Sequence, residues 1–244
     1  MAGIPIGNCA ALVTLGGMQT TNDPELRLVY EDSALLVVNK PARVATMGFG
    51  DGRPELMTVL RRYLSTGTET PFVGILGRLD VPVSGLLVVA KSSLVARQLM
   101  QQRASQKLKK KYHALVHGHP VPGQGELTDW IVKSRRRRRV DIVPGEQPDA
   151  QLAHLSYEVL RSGSDRCLLD VTLYTGRKHQ IRAQLGHFGY PILGDRKYGS
   201  RQAFPDGITL MCQEVRLEHP ESGAVCVWNI DYPESWADVL TDVL

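Results

Sequence analysis

The residues best placed to do chemistry lie in GRLDVPVSGLLVVAK, positions 77–91, where Arg78, Asp80 and Ser84 sit in a polar turn between the apolar runs FVGIL and LLVVA. Short runs rich in Val and Leu and bounded by Gly or Pro read as buried strands. Asp80 is then a carboxylate held between two deep strands, and an unpaired charge in that setting costs roughly several kcal/mol. Either it shapes the turn through its own backbone, or it has a partner and a task.

Charge is unevenly distributed. Residues 101–140 carry eleven basic side chains against Glu126 and Asp129, a local excess of +9 in a chain of net charge +4, so the remainder is acidic. A concentrated basic segment favours a polyanion, RNA or DNA, although blocks of like charge are also found as solvated runs. Lys110, Lys111 and the run Arg135, Arg136, Arg137, Arg138 and Arg139 are the candidate phosphate contacts. Cys9, Cys167, Cys212 and Cys226 are scattered and read as reduced structural thiols. His113, His117 and His119 lie in a strand-like stretch without the neighbours that metal sites use, so no metal is expected. No apolar run reaches the roughly 18 residues of a membrane span, and residues 1–20 lack the pattern of a secretory signal. A cytoplasmic protein without a membrane partner is expected.

The elements that must position Asp80 follow from periodicity. Residues 1–25 read as a tail and 26–244 as one catalytic-size domain. LRLVYEDSALLVVNKP predicts two strands about a turn at Glu31, Asp32 and Ser33. MTVLRRYLS has helical spacing, as does SLVARQLMQQRASQ, capped by Ser92 or Ser93 with Leu94, Leu99 and Met100 on its apolar side. KKYHALVHG alternates as a strand, and 119–150, rich in Pro, Gly and Arg, reads as a long basic loop. A hairpin about 163–165 precedes a helix over HQIRAQLGHFG, stopped by Gly186 and Gly189, and ITLMCQEVRLEHP with AVCVWNIDYP forms a closing hairpin. Hairpin-linked strands with three helices predict an α+β fold with a mixed, largely antiparallel sheet.

Four blocks in this order resemble the RluA-type family of pseudouridine synthases: VVNKPARVAT (37–46), GRLDVPVSGLLVVAK (77–91), KKYHALVHG (110–118) and TGRKHQIRAQLGHFGYPILGDRKYG (175–199). The resemblance implies a central RNA-binding cleft across the sheet and Asp80 as the essential residue. It also implies Tyr112 stacking on the target base, Ile181 packing against that base and Arg182 pairing with Asp80. Arg78 would hold the flipped-out position open or contact the RNA. The chain departs from the family pattern at Gly77, where His is usual, at Val83, where Thr is usual, and at Leu210–Gln213, which replace an LHA-like segment. No separate N-terminal RNA-binding domain is expected, so a monomeric catalytic domain would itself recognise ribosomal or transfer RNA.

Isomerising uridine to pseudouridine cuts the glycosidic bond, turns the uracil and rejoins it through carbon, with no net redox change and no transferred group, so no cofactor is expected. One carboxylate beside the ribose suffices, as nucleophile or as base. A hydrolytic glycosidase would use a second carboxylate to activate water, and Asp80 is the only carboxylate to which the resemblance gives a role. The alternatives are an RNA-binding protein of this fold that has lost turnover and, behind it, a hydrolytic nucleosidase.

Overall fold

A computed structural model describes residues 26–48, 55–65, 70–134 and 139–243. In chain order the elements are β1 (Arg27–Glu31), β2 (Leu35–Lys40), α1 (Leu56–Leu64), β3 (Gly74–Ile75), β4 (Ser84–Ala90), α2 (Ser93–Ala104), β5 (Lys109–His117), β6 (Gln124–Lys133), β7 (Val140–Val143), β8 (Gln151–Ser162), β9 (Arg166–Leu173), α3 (Gln180–His187), β10 (Leu210–Glu218), β11 (Val225–Asn229) and α4 (Ala237–Leu240). The α+β class and the largely antiparallel pairing expected from the sequence are both present. The tail expected over residues 1–25 lies outside the described residues. Contacts gather in two compact units, residues 1–110 with 212–231 and residues 111–211 with 232–244, and the chain passes from one to the other within β5, within β10 and between Asp231 and Tyr232.

In the first unit β2 and β4 pair antiparallel, from Leu35 opposite Ala90 to Lys40 opposite Gly85. All seven residues of β4 are buried, as are Leu35 to Val38. A strand covered on both faces needs a continuous apolar run rather than alternation, which is why LLVVA and LLVV read as they do. Each buried Val or Leu contributes about 1.5–3 kcal/mol. β10 joins β4 near Gly85, whose φ of +115° and close approach to the Cys212 backbone leave no room for a Cβ.

α2 begins where Ser92 Oγ accepts a hydrogen bond from Val95 N at 3.3 Å, a cap worth about 1 kcal/mol. Its inward face differs from the expected one. Val95 and Leu99 are buried, whereas Leu94 and Met100 are 61% and 51% exposed. Positions 95, 99 and 102 recur at helical spacing, and Gln102 completes the face by donating to Glu218 O at 2.6 Å and accepting from Glu218 N at 2.9 Å.

The second unit is an antiparallel run ordered β5-β9-β8-β6-β7. The expected loop over 119–150 is corrected here: β6 pairs with β8 from Gln124 opposite Glu158 to Ile131 opposite Gln151, and with β7 from Trp130 opposite Val143 to Lys133 opposite Val140. β6 is mostly half-exposed, with only Ile131 buried, so its strand signal is weak beside its Gly, Pro and Arg neighbours. α3 also differs in detail, because Gly186 lies within the helix rather than stopping it. A Cβ there would strike the carbonyl of Tyr198, so glycine lets that segment pack against the helix.

The turn between β1 and β2 rests on Asp32. Its Oδ1 accepts from Ala34 N and Leu35 N, both at 2.8 Å, and its Oδ2 accepts from Tyr30 OH at 2.7 Å. His219 Nε2 lies 2.6 Å from Oδ2 while its Nδ1 accepts from the Glu221 and Ser222 amides, so the proton on Nε2 points at the carboxylate. Burial raises the Asp32 pKa, but the bonds from Leu35, Tyr30, Ala34 and His219 outweigh it and hold the carboxyl below its ordinary value. A depressed folded-state pKa contributes stability above the unfolded value that is lost as pH falls through the folded one. Asp32→Asn is therefore expected to melt lower than the parent at neutral pH and to lose less stability on acidification. Thermal melts across the carboxylate range check this, and identical acid dependence in both chains would count against it.

Candidate active site

The turn bearing Asp80 is held from one side by the VVNKPARVAT block. Thr46, buried to 3% exposure, donates its hydroxyl to Leu79 O at 2.7 Å and accepts from Leu79 N at 3.2 Å. Both backbone groups of the residue before Asp80 are thus fixed by one hydroxyl, a use open to Thr and Ser because the group donates and accepts. Lys40 is fully buried, and its ammonium donates to Pro41 O and Val44 O at 2.8 Å each. Those bonds offset its desolvation and hold the loop leading to Thr46. From the other side, Val83 N donates to Asp80 O at 3.0 Å and closes the turn.

The burial pattern at the turn alternates: Arg78 is exposed, Leu79 buried and Asp80 half-buried. Leu79 anchors the loop while its neighbours remain accessible. Val83 is 2% exposed and packs in the core, so the departure from Thr adds apolar contact at a position that faces inward. Gly77 has φ +85°, a left-handed conformation that glycine adopts without strain.

The second unit holds Tyr112, Ile181 and Arg182. Tyr112 is 7% exposed on β5 opposite Val171, and Ile181 is 4% exposed on α3. Every residue from Gln180 to Leu185 is buried, so the polar ones need partners. Gln180 accepts from Thr175 Oγ1 and Arg177 N and donates to His154 O. Gln184 donates to Leu127 O and Asp129 Oδ2. Arg182 forms a two-pronged pair with Asp195, at 2.6 and 3.0 Å, with the side chains 5% and 2% exposed. Its guanidinium also lies over the Tyr198 ring at 5.1 Å. Tyr198 OH accepts from Val140 N at 2.9 Å and is 2.8 Å from His179 Nδ1.

Asp195 and Thr46 are the positions that sequence reasoning missed. Both lie inside quoted blocks, in GDRKYG and at the end of VVNKPARVAT. A second carboxylate within the same block as the buried arginine was the available signal for Asp195. Nothing in the spacing connects Thr46 to a turn 33 residues away.

The candidate phosphate contacts divide. Lys110 Nζ donates to Leu76 O at 3.1 Å beside the Asp80 turn, and its pKa is lowered, first by burial and further by Arg103, against an opposing pull from Cys212. Lys111 pairs with Asp170 at 3.4 Å with 47% of its side chain exposed, a pair of small energetic weight. Arg139 is bound to Asp141 at 2.6 Å and reaches Lys197 O. Arg135 to Arg138 lie outside the described residues. Among the described residues no group of three or more His, Cys, Asp or Glu is placed to hold a metal ion, and no helix is long and apolar enough to cross a membrane.

The turn thus presents one half-buried carboxylate, Asp80, from an α+β fold. The family model described as RNA pseudouridylate synthase matches residues 34–187. The ribosomal large subunit pseudouridine synthase D of Salmonella typhimurium is 30% identical over 235 residues, spanning 89% of this chain and 70% of that one. Its namesake in Nitrosomonas europaea is 32% identical over 240 residues, spanning 91% and 68%. The solved structure of human RNA pseudouridylate synthase domain containing 4 superposes with a TM-score of 0.72 at 22% identity, over 88% of this chain and 92% of that one. The chain belongs to the RNA pseudouridylate synthases, and within them to the RluA type. It is an enzyme that isomerises uridine in RNA.

The Thr46 clamp makes a prediction. Thr46→Val keeps the shape but leaves the buried Leu79 N–H and C=O unpaired, at a cost of about 1–3 kcal/mol each. Its melting temperature and turnover are expected to fall, with turnover falling further than RNA affinity because Asp80 is displaced while phosphate contacts remain. Thr46→Ser is expected to retain both. Equal kinetics of the Val and Ser variants would show that the hydroxyl does not position the turn.

Proposed function

We propose that Asp80 is the essential carboxylate of this synthase and that its substrate is ribosomal RNA of the large subunit. The observation carrying the first part is the Thr46 and Val83 clamp, which presents one half-buried carboxylate from a fixed turn inside the region matched by the family model. The names of the relatives support the second part.

The reaction breaks the bond between N1 of uracil and C1′ of ribose, turns the base and forms the bond from C5 to C1′. N1 gains a proton and C5 loses one, so atoms balance without an outside reactant. Asp80 serves as nucleophile at the sugar or as base toward a sugar proton. Arg182 is the cation that the family resemblance assigns as partner of the carboxylate. The Asp195 fork supports that role by locking the guanidinium in one orientation. Tyr112 offers a flat face to the extruded base and Ile181 an apolar contact. Arg78, exposed beside the buried Leu79, is accessible to an RNA strand. Lys110, Lys111 and Arg135 to Arg139 contribute to phosphate binding, with Lys111 and Arg139 attenuated by their carboxylate neighbours.

Asp80→Asn preserves size and most hydrogen bonding while removing the charge and the reactive oxygen. It is expected to fold and bind RNA as the parent does, because phosphate contacts come from other residues, and to make no pseudouridine in large-subunit RNA. Parent-like turnover in the folded variant would exclude Asp80 as the essential group. Tyr112→Ala is expected to cost more activity than Tyr112→Phe, since stacking contributes about 1–3 kcal/mol per base. Steady-state assays on the same RNA compare the two, and parent-like activity in Tyr112→Ala would remove the stacking role.

A further inference from the structure

The departure at Gly77 leaves a space that two cations face. A Cβ built on Gly77 would lie 3.6 Å from Arg103 Nη1 and 3.6 Å from Lys110 Nζ. The last turn of α2 and the start of β5 thus deliver an exposed guanidinium and a half-buried ammonium to one point on the Asp80 turn. Two nitrogens so placed are within reach of a single tetrahedral oxyanion, given hydrogen bonds of about 2.9 Å to two of its oxygens. Neither is neutralised: among the described residues Arg103 makes no side-chain hydrogen bond or ion pair, and Lys110 is bound only to the Leu76 carbonyl.

Several other basic side chains have carboxylate partners. Lys91 pairs with Glu31, Lys107 with Glu218, Lys111 with Asp170 and Arg139 with Asp141. Arg103 gains something from the C-terminal dipole of α2, but that interaction does not require its Nη1 to face Gly77. The mutual repulsion contributes to the lowered pKa of Lys110, after burial, and an anion in the space would relieve it. Arg78 follows immediately, exposed on the same turn, and Asp80 is three residues from Gly77.

We propose that Gly77, Arg103 and Lys110 form a binding site for one phosphodiester of the RNA substrate, next to the nucleotide on which Asp80 acts. The inference rests on the reading of the chain as an RNA-modifying enzyme and adds Arg103, a residue outside every recognised motif block. Gly77 serves the site by absence: the backbone turns with a left-handed φ and leaves the volume to the anion.

The test uses the full chain carrying Asp80→Asn, so that binding is read without turnover, with single-stranded oligouridylate as probe and fluorescence anisotropy over a range of salt. Each phosphate contact to a single strand contributes about 0.7 to the slope of log affinity against log salt. Arg103→Gln is expected to weaken binding and flatten the slope by about that amount, as is Lys110→Gln. Because one phosphate is shared, the double variant is expected to flatten it by about 0.7 and not by twice that. Lys107→Gln, on an exposed cation already paired with Glu218, is expected to leave the slope at the parent value. An unchanged slope in Arg103→Gln, whose exposed side chain is removed without harm to the core, overturns the site. Additive flattening in the double variant overturns the shared phosphate. Pseudouridine formation by the chain with Asp80 intact is measured separately, so failure of the enzymatic reading would show there and not in the slopes.

Discussion

The constraint on which the proposed site depends is that β4 is buried along its whole length while the turn that feeds it carries a carboxyl group, Asp80. A carboxylate inside that strand would need a dedicated partner in a medium where desolvation outweighs most pairings. Placed four residues before Ser84, where β4 begins, Asp80 remains half-buried, and the strand still supplies a rigid base. The turn then has to be held by something other than ladder hydrogen bonds. Thr46 and Val83 do this, binding Leu79 and the Asp80 carbonyl, so the residue before the carboxylate and the backbone of Asp80 itself are anchored.

The same economy of satisfied polar groups runs through the motif blocks. Lys40, Thr46, Gln180, Arg182, Gln184 and Asp195 are all buried, and each has at least one hydrogen bond that fixes a loop or a neighbouring side chain. Such groups stabilise little in net terms when paired and cost heavily when a partner is removed. Their value lies in geometry. The Asp195 fork leaves the Arg182 guanidinium one orientation, and the Gln180 side chain ties the approach to α3 through Arg177 N and Thr175.

What was legible in the sequence was the part governed by local rules. The strands β2 and β4 are continuous apolar runs, the Asp32 turn has the residue type that bonds its own backbone, and Ser92 caps α2. Asp80 and Arg182 stood out as charges inside apolar or motif-bearing stretches. The misses come from interactions with no local signature. β6 carries a half-exposed face, so its composition resembles a loop. The inward face of α2 is read only in part: Leu99 is buried as expected, but Leu94 and Met100 are apolar yet outward, while Gln102 turns inward to bind the Glu218 backbone. Thr46 acts across 33 residues of chain, a separation that single-residue chemistry does not encode, whereas Asp195 lies 13 residues from Arg182 within one motif block and was legible there.

Gly77 shows how a departure from a family pattern acquires a physical meaning once its surroundings are known. Read from the sequence, glycine in place of histidine is the loss of an imidazole that could bond phosphate or backbone. In the structure the backbone there has φ +85° and the vacated direction faces Arg103 and Lys110. Two like charges converging without a carboxylate store repulsion, and a fold tolerates that where an anion completes the arrangement. A polyanionic substrate supplies such charge at every nucleotide. Among the described residues Arg103 and Lys110 have no carboxylate partner, and a phosphate of the substrate is the anion that the proposed site would add.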